Sequence, residues 1–345
     1  MNAHWVSSFL IPFLSLISSS RASWGDRNNV FQDCLSRCLR RSCTVPRELL
    51  DELPAALEED DNGDRLTAWT NTHPWYLRAL LWECEDECKY ECMWTTVDVF
   101  QRENLTIPQF YGKWPFVRLF GIQEPASTLF SVLNGVSHCW MLQKFVQNVP
   151  SSAPMFRVWF LYGLASMNAW FWSAVFHTRD FSFTEKMDYF SALLGVLFSF
   201  YAFLLRIYGC GRGKTWIIPA VPLLIFYCYH VHYLSFVRFD YGYNMLANIT
   251  VGVLNSLGWL LFCITVALTN RHARVPRSVW KCALSVLAVD ALMLLELLDF
   301  PPFLWTFDAH SLWHLGTIPL PLLWYRFLID DCLYLHRLEQ APKRK

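Results

Sequence analysis

The sequence predicts an all-α membrane protein, a seven-transmembrane-helix bundle preceded by a small disulfide-rich lumenal domain. Three observations predict it. Hydrophobic residues make up 54% of the 345 residues, with 17 Trp and 27 Phe, which is too apolar and too aromatic for an ordinary soluble chain and suits membrane-interface belts. Seven apolar stretches, each about long enough to cross a bilayer, follow one another after residue 125 with short connections. Six cysteines crowd into the polar region ahead of the first stretch. Net charge is zero, so nothing points to nucleic acid as a partner.

The chain opens on MNAHWVSSFLIPFLSLISSSRAS, an apolar run followed by small residues. This is the pattern of a secretory signal peptide over 1–23, cleaved near Ala22 or Ser23. Its first residues carry His4 but no Lys or Arg, so an uncleaved anchor is the alternative.

Residues 24–118 are expected to form a lumenal domain. Cys34, Cys38, Cys43, Cys84, Cys88 and Cys92 all fall within it and read as a disulfide framework whose pairing the sequence leaves open. A zinc module is the alternative. The spacings CLSRC and CEDEC disfavour it, being one helical turn rather than the two-residue gap of common zinc knuckles. Asn104 in ENLTI is a glycosylation acceptor sequence in the same region. Asn248 in ANITV also matches but lies in a predicted span. The acidic run DELPAALEEDDNGD reads as a solvated loop.

The membrane domain, 119–332, contains spans predicted at 126–146, 155–177, 187–208, 215–236, 243–269, 278–299 and 309–329. A cytosolic tail follows at 333–345. Short loops imply an antiparallel bundle. Segments after the odd spans hold Lys144, Arg157, Arg206, Arg212, Arg271 and Lys281 among other cations, whereas the opposite loops hold little beyond Arg179, Lys186 and Arg238. The positive-inside rule therefore agrees with the signal peptide: N-terminus lumenal, C-terminus cytosolic.

That topology brings several polar residues to one depth. Ser173 and His177 close the second span, Asp188 opens the third, and His310 and His314 open the seventh in FDAHSLWH, all at the lumenal end. Residues four apart share a helix face, so Ser173 with His177, and His310 with His314, are two such pairs. Three neutral imidazoles make a catalytic zinc site with one position left for chemistry. His177, His310 and His314 are the expected ligands. Asp188 is expected to orient a histidine or a water, and Ser173 to donate to that water or to an oxyanion. The plain alternatives are interfacial histidines, a serine bonded to its own helix, and an aspartate that caps its span or pairs with Lys186. His138, with Asn134 one turn before it, reads as an interhelical hydrogen-bonding group or a partner of the site. His230 and His232 read as interfacial, Glu296 and Asp299 as pocket-shaping, and Asp290 as paired within the bundle. No nucleophile elbow or phosphate-cradling glycine loop is present in the sequence.

Ser and His four apart, an Asp after them and a late HxxxH in the last span resemble the CREST hydrolase superfamily, which includes alkaline ceramidases and adiponectin-type receptors. The strings ECMWTTV, QFYGKWPF, QEPAS, NAWFWSAVFHTRD, TEKMDYF, RFDYGYN, LLELLDFPP and DAHSLWH narrow this. They resemble the post-GPI-attachment-to-proteins factor three, or Per-one-like, family of fatty-acid remodelling enzymes, over almost the whole mature chain. The resemblance implies a phospholipase A2-type hydrolase that removes the unsaturated sn-2 acyl chain from GPI anchors. It implies GPI-anchored proteins and membrane lipid as partners, zinc as cofactor, and the Golgi membrane as location, with the endoplasmic reticulum second. On it, Ser173 and Asp188 take catalytic roles, and His177, His310 and His314 bind the metal. A non-enzymatic lipid receptor or GPI-protein escort of the same fold, and a ceramidase-like amidase, are the competing readings.

Overall fold

A computed structural model describes residues 23–43, 74–209, 215–269 and 278–341. The predicted signal peptide up to residue 22, the acidic run and the last four residues lie outside them. The described residues are mostly helical and form no strands, only isolated bridges. Two compact units are distinct. One takes in the described residues up to Pro125 together with Phe300–Asp308; the other takes in Ala126–Asp299 and the residues from Ala309 onward.

The N-terminal unit is built from α1 (Trp24–Arg27), α2 (Asn29–Cys38) with a π-helical turn at Leu39–Cys43, α3 (Trp75–Ala79) and α4 (Cys84–Arg102). Local chemistry starts each long helix. Asn28 accepts the Val30 N–H at 2.9 Å at the head of α2. The Asp86 carboxylate accepts the Glu83 N–H at 3.1 Å at the head of α4, and Glu85, Asp86 and Glu87 set negative charge against its dipole. The one-turn cysteine spacing then has a clear use. It puts the cysteines of α2 and α4 on facing stripes, and the helices are joined by Cys34–Cys92, Cys38–Cys88 and Cys43–Cys84. The order is antiparallel, like rungs. All six sulfurs are consumed, so the close approach of Cys43, Cys84 and Cys88 is that of neighbouring disulfides rather than of a zinc module. Phe31, Leu35, Val97 and Phe110 fill the space around the rungs. Arg118 is sandwiched 4.2 Å from the Trp82 ring and 3.7 Å from the Tyr90 ring, and donates twice to Glu87 at 2.6 and 2.9 Å.

The second unit contains α5 (Pro125–Asn148), α6 (Phe156–Thr178), α7 (Ser182–Tyr208), α8 (Ile217–His232), α9 (Tyr241–Thr269), α10 (Val279–Leu298), α11 (Ala309–Thr317) and α12 (Leu320–Gln340). Among the described residues three helices are long and apolar enough to cross a membrane: Ser182–Tyr208, Ile217–Val237 and Tyr241–Leu268. The fourth predicted span contains Pro222 and finishes in a π-helical turn, Tyr233–Val237. The seventh is broken into α11 and α12, because Pro319 and Pro321 remove two backbone donors. The residues expected as a tail from 333 continue α12 as far as Gln340.

The second unit has a tight aromatic centre and an apolar outside. Trp324 meets Trp159 and Trp259 edge to face at 6.1 and 5.3 Å, Phe327 meets Trp259 likewise at 5.6 Å, and Trp159 lies tilted against Trp259 at 6.2 Å, with Phe145, Met155 and Tyr325 packed around them. Outward lie Val132, Val136, Ile218, Leu224, Ile225 and Leu261, a surface suited to hydrocarbon rather than water. α7 packs on α6, α8 and α9, and α10 packs on α9, α11 and α12. Charges inside the unit are met: Arg206 holds the buried Asp331 through two bonds of 2.7 and 2.8 Å, and Ser256 donates to the half-buried Asp290 at 2.7 Å. Asp290 thus bonds within the bundle.

Candidate metal centre

His177 lies in the last turn of α6, and His310 and His314 lie one turn apart on α11. Their rings meet. His310 Nε2 stands 3.3 Å from His177 Nε2 and 2.9 Å from His314 Nε2, and one ligand atom from each ring falls within 4.8 Å of the others. His177 and His314 are buried; His310 is half-buried.

The groups behind the rings decide which nitrogen carries the proton. His310 Nδ1 donates to Glu296 Oε2 at 2.7 Å. In the neutral ring its Nε2 therefore carries a lone pair. Ser131 Oγ gives its only proton to the Ser127 carbonyl at 2.7 Å, so it can only accept from its other neighbours. Those neighbours are His314 Nδ1 at 3.4 Å and Ser173 Oγ at 3.0 Å. His314 accordingly carries its proton on Nδ1, and its Nε2 also presents a lone pair. Two lone pairs facing each other at 2.9 Å repel unless a proton or a metal ion lies between them. Four-coordinate zinc, with Zn–N of about 2.0–2.1 Å, sets neighbouring nitrogens about 3.3 Å apart. The donor set and its spacing fit a metal of that kind.

Helix α5 holds this arrangement in place. The break before α12 leaves carbonyls at the end of α11 without their usual helical donors. Asn134 Nδ2 donates to the His314 carbonyl at 2.8 Å, Thr317 Oγ1 donates to it at 2.9 Å, and Ser137 Oγ donates to the Ile318 carbonyl at 2.9 Å. Trp170 and Trp313 wall the rings, 5.3 Å from His314 and 5.7 Å from His310. At Gly316 a Cβ would stand 2.3 Å from a Leu292 methyl, so the glycine lets α10 and α11 approach closely.

The family-model comparison matches residues 74–332 to the Per1-like family. The chain belongs to the Per1-like family. Curated relatives extend the match to nearly the whole length. A zebrafish (Danio rerio) protein named "GPI-specific phospholipase A2-like PGAP3" is 44% identical over 96% of this chain and 98% of its own. A human (Homo sapiens) protein of the same name is 42% identical over 94% of each. A Drosophila melanogaster protein named "Post-GPI attachment to proteins factor 3" is 38% identical over 97% of this chain and 96% of its own. No solved structure matches.

Within this Per1-like chain the structure brings together His177, His310 and His314, with Ser173 one hydroxyl away through Ser131. Asp188 is half-buried near the start of α7, and Asn104 is exposed just beyond α4 at positive φ (56°). The acid that holds His310 is Glu296, a residue expected only to shape the pocket. Ser131 escaped the sequence reading altogether. The signal for it was the face Ser127, Ser131, Asn134 and His138, spaced by helical turns along α5. His138 lies 3.5 Å from the Tyr325 hydroxyl, away from the three rings. Of the two histidines expected at the interface, His232 is exposed but His230 is fully buried, between Phe190, Phe226 and Tyr243.

Proposed function

We propose that this chain is a zinc-dependent hydrolase of phospholipase A2 type that removes the unsaturated sn-2 acyl chain from GPI anchors of proteins. The observation that carries the reading is the convergence of three Nε2 atoms, two of them with their tautomers fixed from behind. The names of the relatives supply the substrate class. His177, His310 and His314 would hold the metal. Bound there, zinc supplies Lewis acidity toward an ester carbonyl and lowers the pKa of water to near neutrality.

The chain's own groups do the rest. Glu296 keeps the His310 proton on Nδ1, and Ser131 does the same for His314. Ser173 Oγ, donating to Ser131, turns its oxygen lone pairs toward the site and can redirect its proton to an oxyanion. Asp188 is the base that takes a proton from the attacking water and returns it to the leaving alcohol. Trp170 and Trp313 exclude bulk water from one side of the rings. In the proposed arrangement the second unit spans the membrane seven times. The N-terminal unit is lumenal, where three disulfides suit an oxidising compartment, and the C-terminus is cytosolic, in the Golgi membrane. The histidines then lie near the depth of an sn-2 ester.

The test is expression in cells lacking the endogenous enzyme, followed by analysis of the sn-2 chain of GPI anchors. The wild-type chain is expected to restore remodelling. His310→Ala, at matched abundance and location, is expected to leave the unsaturated chain in place. Normal remodelling by His310→Ala would defeat the metal-hydrolase reading in favour of a receptor or escort.

A further inference from the structure

Two tight turns of the N-terminal unit present apolar side chains where turns ordinarily present polar ones. Leu119 and Ile122 exchange backbone hydrogen bonds of 3.2 and 2.9 Å around Phe120 and Gly121, both at positive φ (50° and 81°). A two-residue turn with both central residues at positive φ belongs to Asn-Gly or Asp-Gly. Phe120 occupies the Asn position, at a cost of about 1–2 kcal/mol for its left-handed backbone. Leu81 has the same left-handed backbone (φ 56°) after α3. The two turns are joined: Trp82 Nε1 donates to the Gly121 carbonyl at 2.8 Å, and the Tyr76 ring meets Phe120 at 6.0 Å and Trp75 at 6.1 Å. Trp75, Leu81 and Phe120 remain 72%, 65% and 70% exposed. Their segments, WYLRALLW and FVRLFGIQ, contain no acidic residue and one arginine each.

We propose that Trp75, Leu81 and Phe120 form an insertion patch that dips into the membrane interface on the lumenal side. The inference rests on α5 entering the membrane, as in the functional reading above. A turn that met only water would lose nothing by carrying asparagine or glycine. Strained backbone that pushes a phenylalanine and a leucine outward is offset when those side chains leave water. The occupant is a lipid surface because of the chain's reach. Phe120 precedes Pro125, the first residue of α5, by five residues, and extended chain covers at most about 3.3–3.6 Å per residue, so the tip is tethered near the bilayer surface. A Trp, a Phe and a Leu near the exposed Arg78 are also the residue types that settle at the boundary of headgroups and acyl chains, about 5–10 Å deep. The patch would hold the N-terminal unit down against the leaflet in which the GPI lipid sits.

The experiment places an encoded fluorescent amino acid at position 120, and separately at position 81, of the full chain in phosphatidylcholine nanodiscs. Emission is compared between plain lipid and lipid brominated near the top of the acyl chain. Insertion is expected to lower emission at least about twofold in brominated lipid at both positions. The Trp75→Ser change is expected to weaken quenching at position 120. Phe120→Asn is expected to fold at least as well as the wild type, because it restores the preferred turn residue, while weakening quenching at position 81. Equal emission in plain and brominated lipid at both positions overturns the proposal, and so does a Phe120→Asn chain that keeps full quenching at position 81. His310→Ala is expected to leave the quenching unchanged. An active chain without quenching therefore refutes the patch alone, and a quenched chain with no hydrolysis refutes the functional reading alone.

Discussion

Replacing Glu296 tests whether the ring nitrogens are arranged for a metal. Glu296 Oε2 accepts a hydrogen bond from His310 Nδ1 at 2.7 Å, and its side chain is only 17% exposed, so this is a charge-assisted bond partly shielded from water. Hydrogen bonds to charged groups contribute about 1.5–3 kcal/mol, which is about 10- to 100-fold in an equilibrium constant, the range in which partners of metal-bound histidines act. Glu296→Gln keeps an acceptor but loses the charge, and should lower metal affinity about tenfold. Glu296→Ala lets the His310 ring turn and choose the other tautomer, and should lower it about 100-fold. The assay is metal content of the purified full chain across a series of chelator concentrations. Thermal stability without metal is measured in parallel and is expected to change little for Gln. If wild type, Gln and Ala give up metal at the same chelator concentration, Glu296 does not orient His310 for a metal. If none holds metal at all, the three rings have another purpose.

Other outcomes follow from single contacts. At Gly25 a Cβ would stand 2.5 Å from the Gln109 carbonyl oxygen and 3.0 Å from the Phe110 ring, so Gly25→Ala should destabilise the N-terminal unit by about 1–3 kcal/mol. Limited proteolysis should then cut that unit sooner, and an unchanged digestion rate would contradict the clash. Asp331→Asn leaves Arg206 with a neutral partner in a buried site and should cost up to about 3–5 kcal/mol, while Arg206→Met with Asp331→Leu should recover most of it, both read as melting in detergent. A double variant no better than the single would mean that the pair is needed for more than charge balance. Asn104, exposed beyond α4, should carry glycan, giving an endoglycosidase shift that Asn104→Gln removes. Absence of the shift would remove that support for a lumenal N-terminal unit.

The histidines were legible because each signal was local. HSLWH places two rings on one face of α11, and Ser173 with His177 share a face of α6. Their partners were not legible for the opposite reason. A serine within a span usually bonds its own helix, and Ser131 does so, yet the same oxygen also accepts from two other helices. Glu296 and Asp299 both stood near the end of the sixth apolar stretch, and only packing selects Glu296 for His310. Cysteine spacing revealed a helical framework but not its pairing, which depends on two helices running antiparallel. The helices over the first two predicted spans fall outside the three that reach a membrane-crossing level of hydropathy, and inward-facing polar residues contribute to this. α5 buries Ser127, Ser131, Asn134 and His138, and α6 buries Ser166, Ser173 and His177. The residues that build the site are also those that dilute the membrane signal.

The three disulfides are nested, closing separations of 58, 50 and 41 residues, each about one helical turn from the next. Their formation should therefore behave like a zip. The first bridge to close bears the entropy of a long loop, a penalty that grows only slowly with length. Once it exists, and α2 and α4 are helical, the next two sulfurs are already nearly opposite, so the remaining closures are almost free of that penalty. A slip of one turn, pairing Cys38 with Cys92 or Cys43 with Cys88, would strand a cysteine at each end. Correct register is thus the only alignment that uses every thiol, and an unpaired thiol marks a chain that has not yet reached it. Reduction should run the same course in reverse, opening from an end of the ladder while the middle rung, Cys38–Cys88, is held by its neighbours on both sides.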